Sequence, residues 1–200
     1  MKKDFPCVYQ YLSDYKSELA KRKINKKNPV WYEYGRAQSL GKFESGERII
    51  WNVMHSSSSE PGYTYDNIPL IYTGGGHAGP YWGLQLKKDI PESIYYILAL
   101  LNNDELETRL EELYKIDFRG GYYSRNDETM KDLPIYRIDF TNTEEKNIHD
   151  KIVSDVTEII RLNQEKKNLC SYNKDTLNRL INYKKTNLNN IVKKLYEGIS

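Results

Sequence analysis

Two hundred residues carry a formal net charge of only +2, so the chain is long enough for one sizeable domain, or a domain with an appendage, and its overall charge singles out no partner. No run approaches the roughly 18 consecutive apolar residues of a membrane span, the basic start "MKKDFP" leads into no apolar stretch of signal-peptide length, and two distant cysteines, Cys7 and Cys170, make no disulfide framework. The sequence therefore argues against membrane-embedded and disulfide-scaffold classes and reads as a soluble, cytoplasmic chain with free thiols. Charge is unevenly spread. Residues 2–27 hold eight Lys/Arg against three Asp/Glu, residues 161–200 nine against three, and residues 89–112 one against seven. Such polarity suits a polyanion on one side, with solvated helix faces as the plain alternative. Eighteen tyrosines supply rings that can be buried while their hydroxyls stay available to polar partners.

Residues 6–23 place Val8, Leu12, Tyr15 and Leu19 at helical spacing, with Pro6 suited to a first turn and Lys21, Arg22 and Lys23 to a last one. A basic loop, "INKKNP", follows. From Val30 to Leu86 strands are predicted: "VWYEY", "ERIIWNVM", then a polar loop "HSSSSEPG", then two strands around a glycine-rich tip. "PESIYYILALLNN" predicts a helix with Ile94, Ile97, Leu98 and Leu101 on one face and an exit at Asn102–Asn103, and a second helix follows on Leu106, Leu110 and Leu113. "FRGGYYSRNDE" breaks it, and "LPIYRIDF" is extended because Pro134 stops a helix. After a cap at Asn142–Thr143, Ile148, Ile152, Val156, Ile159 and Ile160 share a helical face. Beyond a break at "NLCSYN", a last helix from about Asp175 carries Leu177, Leu180, Ile181, Leu188, Ile191, Val192 and Leu195. These elements predict an α+β fold: a mixed, strand-rich core with flanking helices over 1–142, and a helical hairpin over 143–200 packed on it. The irregular repeat of the hairpin disfavours a coiled-coil dimer.

No motif marks a catalytic centre. Gly74, Gly76 and Gly79 spell a G-x-G-x-x-G, but Pro80 and the alternating "YWGLQL" follow where a phosphate-binding helix would have to open. The glycines read instead as a hairpin tip. His55, His77 and His149 have no partner at a metal-ligand spacing, and the serines after His55 lack a strand–Ser–helix elbow. There is no N/D-P-P-Y/F segment of the kind that amino-methyltransferases use to grip a flipped base. What the loops do contain is cations, amides and aromatic rings in alternation. "WYEYGRAQSLGKF" offers Trp31, Tyr32, Tyr34, Arg36, Gln38, Ser39 and Lys42; "FRGGYYSRND" offers Arg119, Tyr122, Tyr123, Arg125 and Asn126; the glycine tip adds His77, Tyr81 and Trp82. Arg, Gln and Asn can bond base edges in pairs, while Lys, Tyr and Ser hold phosphates. Core burial of Trp31 and Trp82, and surface ion pairs for Arg36 and Arg125, are the structural alternatives.

Taken in order, these segments resemble a family. "FPCVYQYLSDYKSELAKR", "WYEYGRAQSLGKFESGERIIW", "YTGGGHAGPYWGLQL" followed by "YYILALLNN", "FRGGYYSRNDETMKDLPI" and "LNNIVKKLYEG" are together similar to the TaqI-like C-terminal specificity domain of adenine-specific DNA methyltransferases, including the type IIG enzymes that combine restriction with methylation. The resemblance covers nearly the whole chain. It implies a DNA target-recognition domain over 1–142 that grips double-stranded DNA chiefly through the major groove, with no catalysis and no cofactor in this chain. It also implies a methyltransferase domain of the parent protein as partner, which binds S-adenosylmethionine and methylates a flipped adenine at N6. Met1 followed by an internal-looking helix suggests a fragment of that parent, ahead of a separately encoded subunit. Recognition loops vary with the site they read, so the loops near 36–42, 55–62, 74–82 and 119–126 are candidates by position and character, which adds His55 and Ser57 to the residues above. A protein-interaction module docking through the C-terminal hairpin is the runner-up, and a sugar-binding aromatic surface a weaker third. Salt separates them, because multi-phosphate binding weakens steeply with ionic strength.

Overall fold

The computed structural model describes residues 1–24, 27–33, 35, 46–56, 62–67, 81–113, 122–167 and 171–197. Among these, seven helices and five short strands form an α+β fold in which helix predominates: α1 (Pro6–Asp14), α2 (Lys16–Leu19), β1 (Arg48–Asn52), β2 (Met54–Ser56), β3 (Thr64–Asp66), β4 (Tyr81–Leu84), α3 (Ile94–Leu101), α4 (Asp104–Leu113), β5 (Tyr122–Ser124), α5 (Asp127–Lys131), α6 (Thr143–Lys167) and α7 (Ser171–Glu197). The strands make two small antiparallel sheets, one ordered β3–β1–β4 and one pairing β2 with β5. In the first, Ile49 faces Tyr65 and Leu84, and Trp51 faces Trp82. In the second, Met54, His55 and Ser56 face Ser124, Tyr123 and Tyr122.

The core is built around α3. Every residue of this helix except Tyr95 is buried, as expected of a helix that is apolar all round. It packs against α6, α7 and the first sheet in one cluster that includes Ile49, Trp51, Ile97, Leu100, Ile152, Val156, Val192 and Tyr196. Its start is held twice: the Ser93 hydroxyl accepts the Tyr95 N–H, and the Ser93 N–H donates to Nε2 of buried His149 at 3.1 Å. The extended segment 133–140 has no strand partner among the described residues, and side chains take over its backbone bonds. Tyr96 donates to the Tyr136 carbonyl, Tyr196 to the Pro134 carbonyl, and the Ile138 N–H donates to Glu92. The Glu92 carboxylate also accepts from Arg137 at 2.7 and 3.1 Å. Burial by itself would raise its pKa, but the bonds from Arg137 and from the backbone outweigh this and hold it below the usual carboxylate range.

Four expectations need correction. The helix expected over 6–23 is interrupted at Tyr15 and ends at Leu19, before Lys21, Arg22 and Lys23, and its apolar face is not buried, with Val8 and Tyr15 exposed. "VWYEY" is not a strand over its described residues: Val30–Glu33 closes a turn, with the Glu33 N–H on the Val30 carbonyl. Arg22 occupies the Trp31 and Glu33 carbonyls, and the Trp31 and Tyr32 rings pack edge-on against Tyr9. The polar loop starts later than expected, because His55 and Ser56 still belong to β2. The last helix starts earlier, at Ser171. Strand β3 and helix α5 were not anticipated; neither is long enough for its hydrophobic pattern to complete a second period.

Candidate nucleic-acid interface

β1 and β2 are one run of chain bent at Val53. The bend is fixed by the peptide of Arg125, whose N–H donates to the Val53 carbonyl at 2.7 Å while its carbonyl accepts from the Trp51 indole at 2.9 Å. This clasp joins β5 to the first sheet. Side chains alternate along a strand and directly paired residues share a side, so Met54, Ser56, Tyr122 and Ser124 lie on one side of the two-stranded ribbon and His55 on the other. The two sides differ in exposure: Met54 and Tyr122 are exposed and Ser56 and Ser124 half-buried, whereas His55 is 6% exposed. At the head of β4, Tyr81 and Trp82 are exposed as well, at 46% and 40%.

Beneath the ribbon is a cluster of buried polar groups. Glu107 reaches up from α4 with one carboxylate oxygen 3.4 Å from His55 Nε2 and the other 3.6 Å from Arg125 Nη1. The Arg125 guanidinium, 1% exposed, lies 4.6 Å from the centre of the Tyr63 ring, which in turn packs on Trp51. Tyr63 is fastened at both backbone atoms by Asn102, at the end of α3, and its hydroxyl meets Met130 Sδ. Gly62 just before it takes a φ of +73°, where a side chain would be strained. Burial pushes the Tyr63 hydroxyl up to about 12, against the pull of nearby Arg125. Asn126 caps α5 by accepting the Glu128 and Thr129 N–H groups, and Thr129 returns a bond to the Ser124 carbonyl. Each group behind the ribbon is thus tied to α3, α4 or α5, and the open side is presented on a backing with little freedom to move.

Of the residues expected at a DNA surface, Tyr81, Trp82 and Tyr122 stand exposed at the first positions of β4 and β5. His55 and Arg125 are brought together, but beneath the ribbon, and Asn126 is engaged in its cap. Arg36, Gln38, Ser39, Lys42, Ser57, His77 and Arg119 lie outside the described residues, as do the three tip glycines. Sequence reasoning missed Met54, Tyr63 and Glu107. Glu107 carried a signal, since it lies beside Leu106 and three residues before Leu110, on the side of α4 that must face inward.

A second surface lies at the start of the chain. None of the residues of α1 is buried; Phe5, Val8, Tyr11 and Tyr15 are exposed, and the last two rings lie 5.4 Å apart. On the adjoining side, Lys2 lies over Tyr9 and Lys16 over Trp31. Among the described residues there is no cluster of His, Cys, Asp or Glu arranged to hold a metal ion, and no helix long and apolar enough to cross a membrane.

No family model matches this chain. Curated proteins do resemble it. It is 27% identical over 202 residues to the type II restriction enzyme and methyltransferase RM.Eco57I of Escherichia coli, a match that covers 98% of this chain and 20% of that protein. It is 26% identical to the type II methyltransferase M.HincII of Haemophilus influenzae and 25% identical to M.HindII of the same species, each over 78% of this chain. The chain therefore spans a fifth of the first relative and less than a third of the other two. Along most of its length it is similar to a segment of type II restriction and modification enzymes.

Proposed function

We propose that this chain is the target-recognition part of a restriction–modification enzyme: it reads the sequence of double-stranded DNA and leaves the chemistry to another part of the protein. The observation that carries this reading is the backed, two-stranded ribbon. The major groove of B-DNA, about 12 Å wide, admits such a ribbon. Serine hydroxyls at Ser56 and Ser124 can bond base edges or phosphates, and the open side chains of Met54 and Tyr122 can pack on thymine methyl groups. Tyr81 and Trp82 extend the same kind of surface from β4. His55, Glu107 and Arg125 act by holding the ribbon in place.

The finer assignment follows the TaqI-like resemblance. The parent is a cytoplasmic, adenine-specific DNA methyltransferase of the type IIG kind, and its catalytic part is the partner of this chain. That part binds S-adenosylmethionine, which supplies the methyl group. A second reading, a protein-interaction module, draws on the exposed Leu180 and Tyr183 of the C-terminal hairpin.

Fluorescence anisotropy with a pool of randomised DNA duplexes, at about 50 and about 200 mM salt, tests the reading, because multi-phosphate binders lose orders of magnitude in affinity across that span. Salt-sensitive binding is expected, and sequencing the bound pool then yields a preferred site. Tyr81→Ala with Tyr122→Ala should cut the preference for that site by roughly tenfold or more, the scale of one base-reading contact. Binding that ignores salt, as apolar docking would, or no binding at the lower salt, would overturn the proposal.

A further inference from the structure

The distal parts of α6 and α7 differ from the proximal parts of the same helices. Nearer the core these helices supply Ile152, Val156, Leu188, Val192, Leu195 and Tyr196 to the main hydrophobic cluster. Over residues 161–185, only Leu162 and Ile181 are buried among the described residues, and neither belongs to that cluster. The level of the core is marked by Asn189, which bonds Asn103 and Asp104 around the start of α4. From there back to Ser171 the helix runs about 27 Å at 1.5 Å per residue. This stretch is a two-helix arm.

Its charge is one-sided. Arg161 is paired with Glu165, and Lys184 with Glu158. Lys185 is engaged as well, which leaves Lys166, Lys167, Lys174 and Arg179 against Asp175, none of the four having an ion pair among the described residues. Amides lie between the cations, at Asn163, Gln164, Asn173 and Asn178. By contrast, the cations of the proximal part of α6 are neutralised one by one, Lys146 by Asp150 and Lys151 by Asp155. A protein-binding surface is depleted of lysine at its centre and needs a contiguous apolar patch, for which Leu180 and Tyr183 alone are small. A phosphate backbone needs only cations and amide donors at intervals along a rod.

We propose that this arm is a second DNA contact, a clamp on the phosphates of the duplex beyond the stretch read by the ribbon, indifferent to sequence. The proposal rests on the reading of the chain as a DNA-recognition module.

The test compares the whole chain with two variants of equal net charge. One carries Lys166→Ala, Lys167→Ala, Lys174→Ala and Arg179→Ala; the other carries Lys87→Ala, Lys88→Ala, Lys193→Ala and Lys194→Ala, all exposed positions away from the arm. Alanine suits a helix, and circular dichroism confirms that both variants fold. The arm variant should lose slope in a plot of log Kd against log salt, by about 0.9 for each phosphate contact removed. It should weaken binding to the preferred duplex and to an unrelated one by the same factor, while the control keeps the wild-type slope. An arm variant with the wild-type slope, or a control that loses as much, overturns the clamp and leaves the recognition reading standing. Weakening confined to the preferred duplex overturns the indifference to sequence. A wild-type chain that binds no DNA in a salt-dependent way overturns both readings together.

Discussion

Glu107 belongs to an acidic helix that would ordinarily be read as a solvated face, yet its carboxylate is enclosed between His55 and Arg125. Removing one partner from a buried ion pair costs about 3–5 kcal/mol, because the remaining charge has been taken out of water without compensation. Glu107→Gln is therefore expected to lower stability by that amount, read as a fall in the urea midpoint at unchanged slope. Tyr122→Ala on the open side of the same ribbon should stay within about 0.5 kcal/mol, as surface substitutions do. If the two variants were equally destabilised, the ribbon would not be two-sided as described. At this scale the residue types were legible and their direction was not. His55 and Arg125 looked like surface groups because Ser56–Ser59 and Asn126–Asp127 flank them; nothing local reveals that a carboxylate from another helix meets them underneath.

Among the elements, α3 was the most readable, since its apolar run is longer than any strand among the described residues and ends in two asparagines. The helix is capped by Ser93, and Ser93→Ala should cost about 1 kcal/mol in thermal or urea unfolding. The segment 133–140 depends on α3's neighbour Glu92. Glu92→Ala orphans the buried Ile138 N–H and should cost about 1–3 kcal/mol, while Glu92→Gln keeps an acceptor there. The carboxylate is held below its usual range, so the folded chain binds this proton less readily than the unfolded one. Its ionic contribution is complete above the ordinary carboxylate value, about 4.3, and fades as pH falls through the lower folded-state value. The stability gap between wild type and Glu92→Gln should accordingly be flat from pH 8 to about pH 5 and narrow below about pH 4, in urea titrations across that range. A gap that widened in acid would reverse the assigned sign.

Across the whole molecule stability should be uneven. The main cluster joins α3, α6, α7 and the first sheet, and Leu100→Ala at its centre, fully buried, should cost about 2–5 kcal/mol. Helix α1 buries nothing, so Val8→Ser with Tyr11→Ser should leave the unfolding midpoint within about 0.5 kcal/mol of wild type. Amide exchange should be slowest in α3 and fast in α1 and α2. The ribbon is backed by α4 and joined to the first sheet, whereas the arm is a continuation of α6 and α7.

The sequence by itself determined the α+β class, the two long C-terminal helices and, Leu180 excepted, their inward faces, because a 3.6-residue period repeated over many turns leaves little choice of partner face. It also carried the likeness to restriction and modification enzymes. Only the tertiary structure decided that Val30–Glu33 is a turn, that β2 continues through His55, and that Arg125 is a buried support. These depend on contacts between residues far apart in the chain, such as Arg22 with the carbonyls of Trp31 and Glu33, and Glu107 with both His55 and Arg125. A short polar segment has no period of its own, so its conformation is set by whichever distant group satisfies its backbone and its charge.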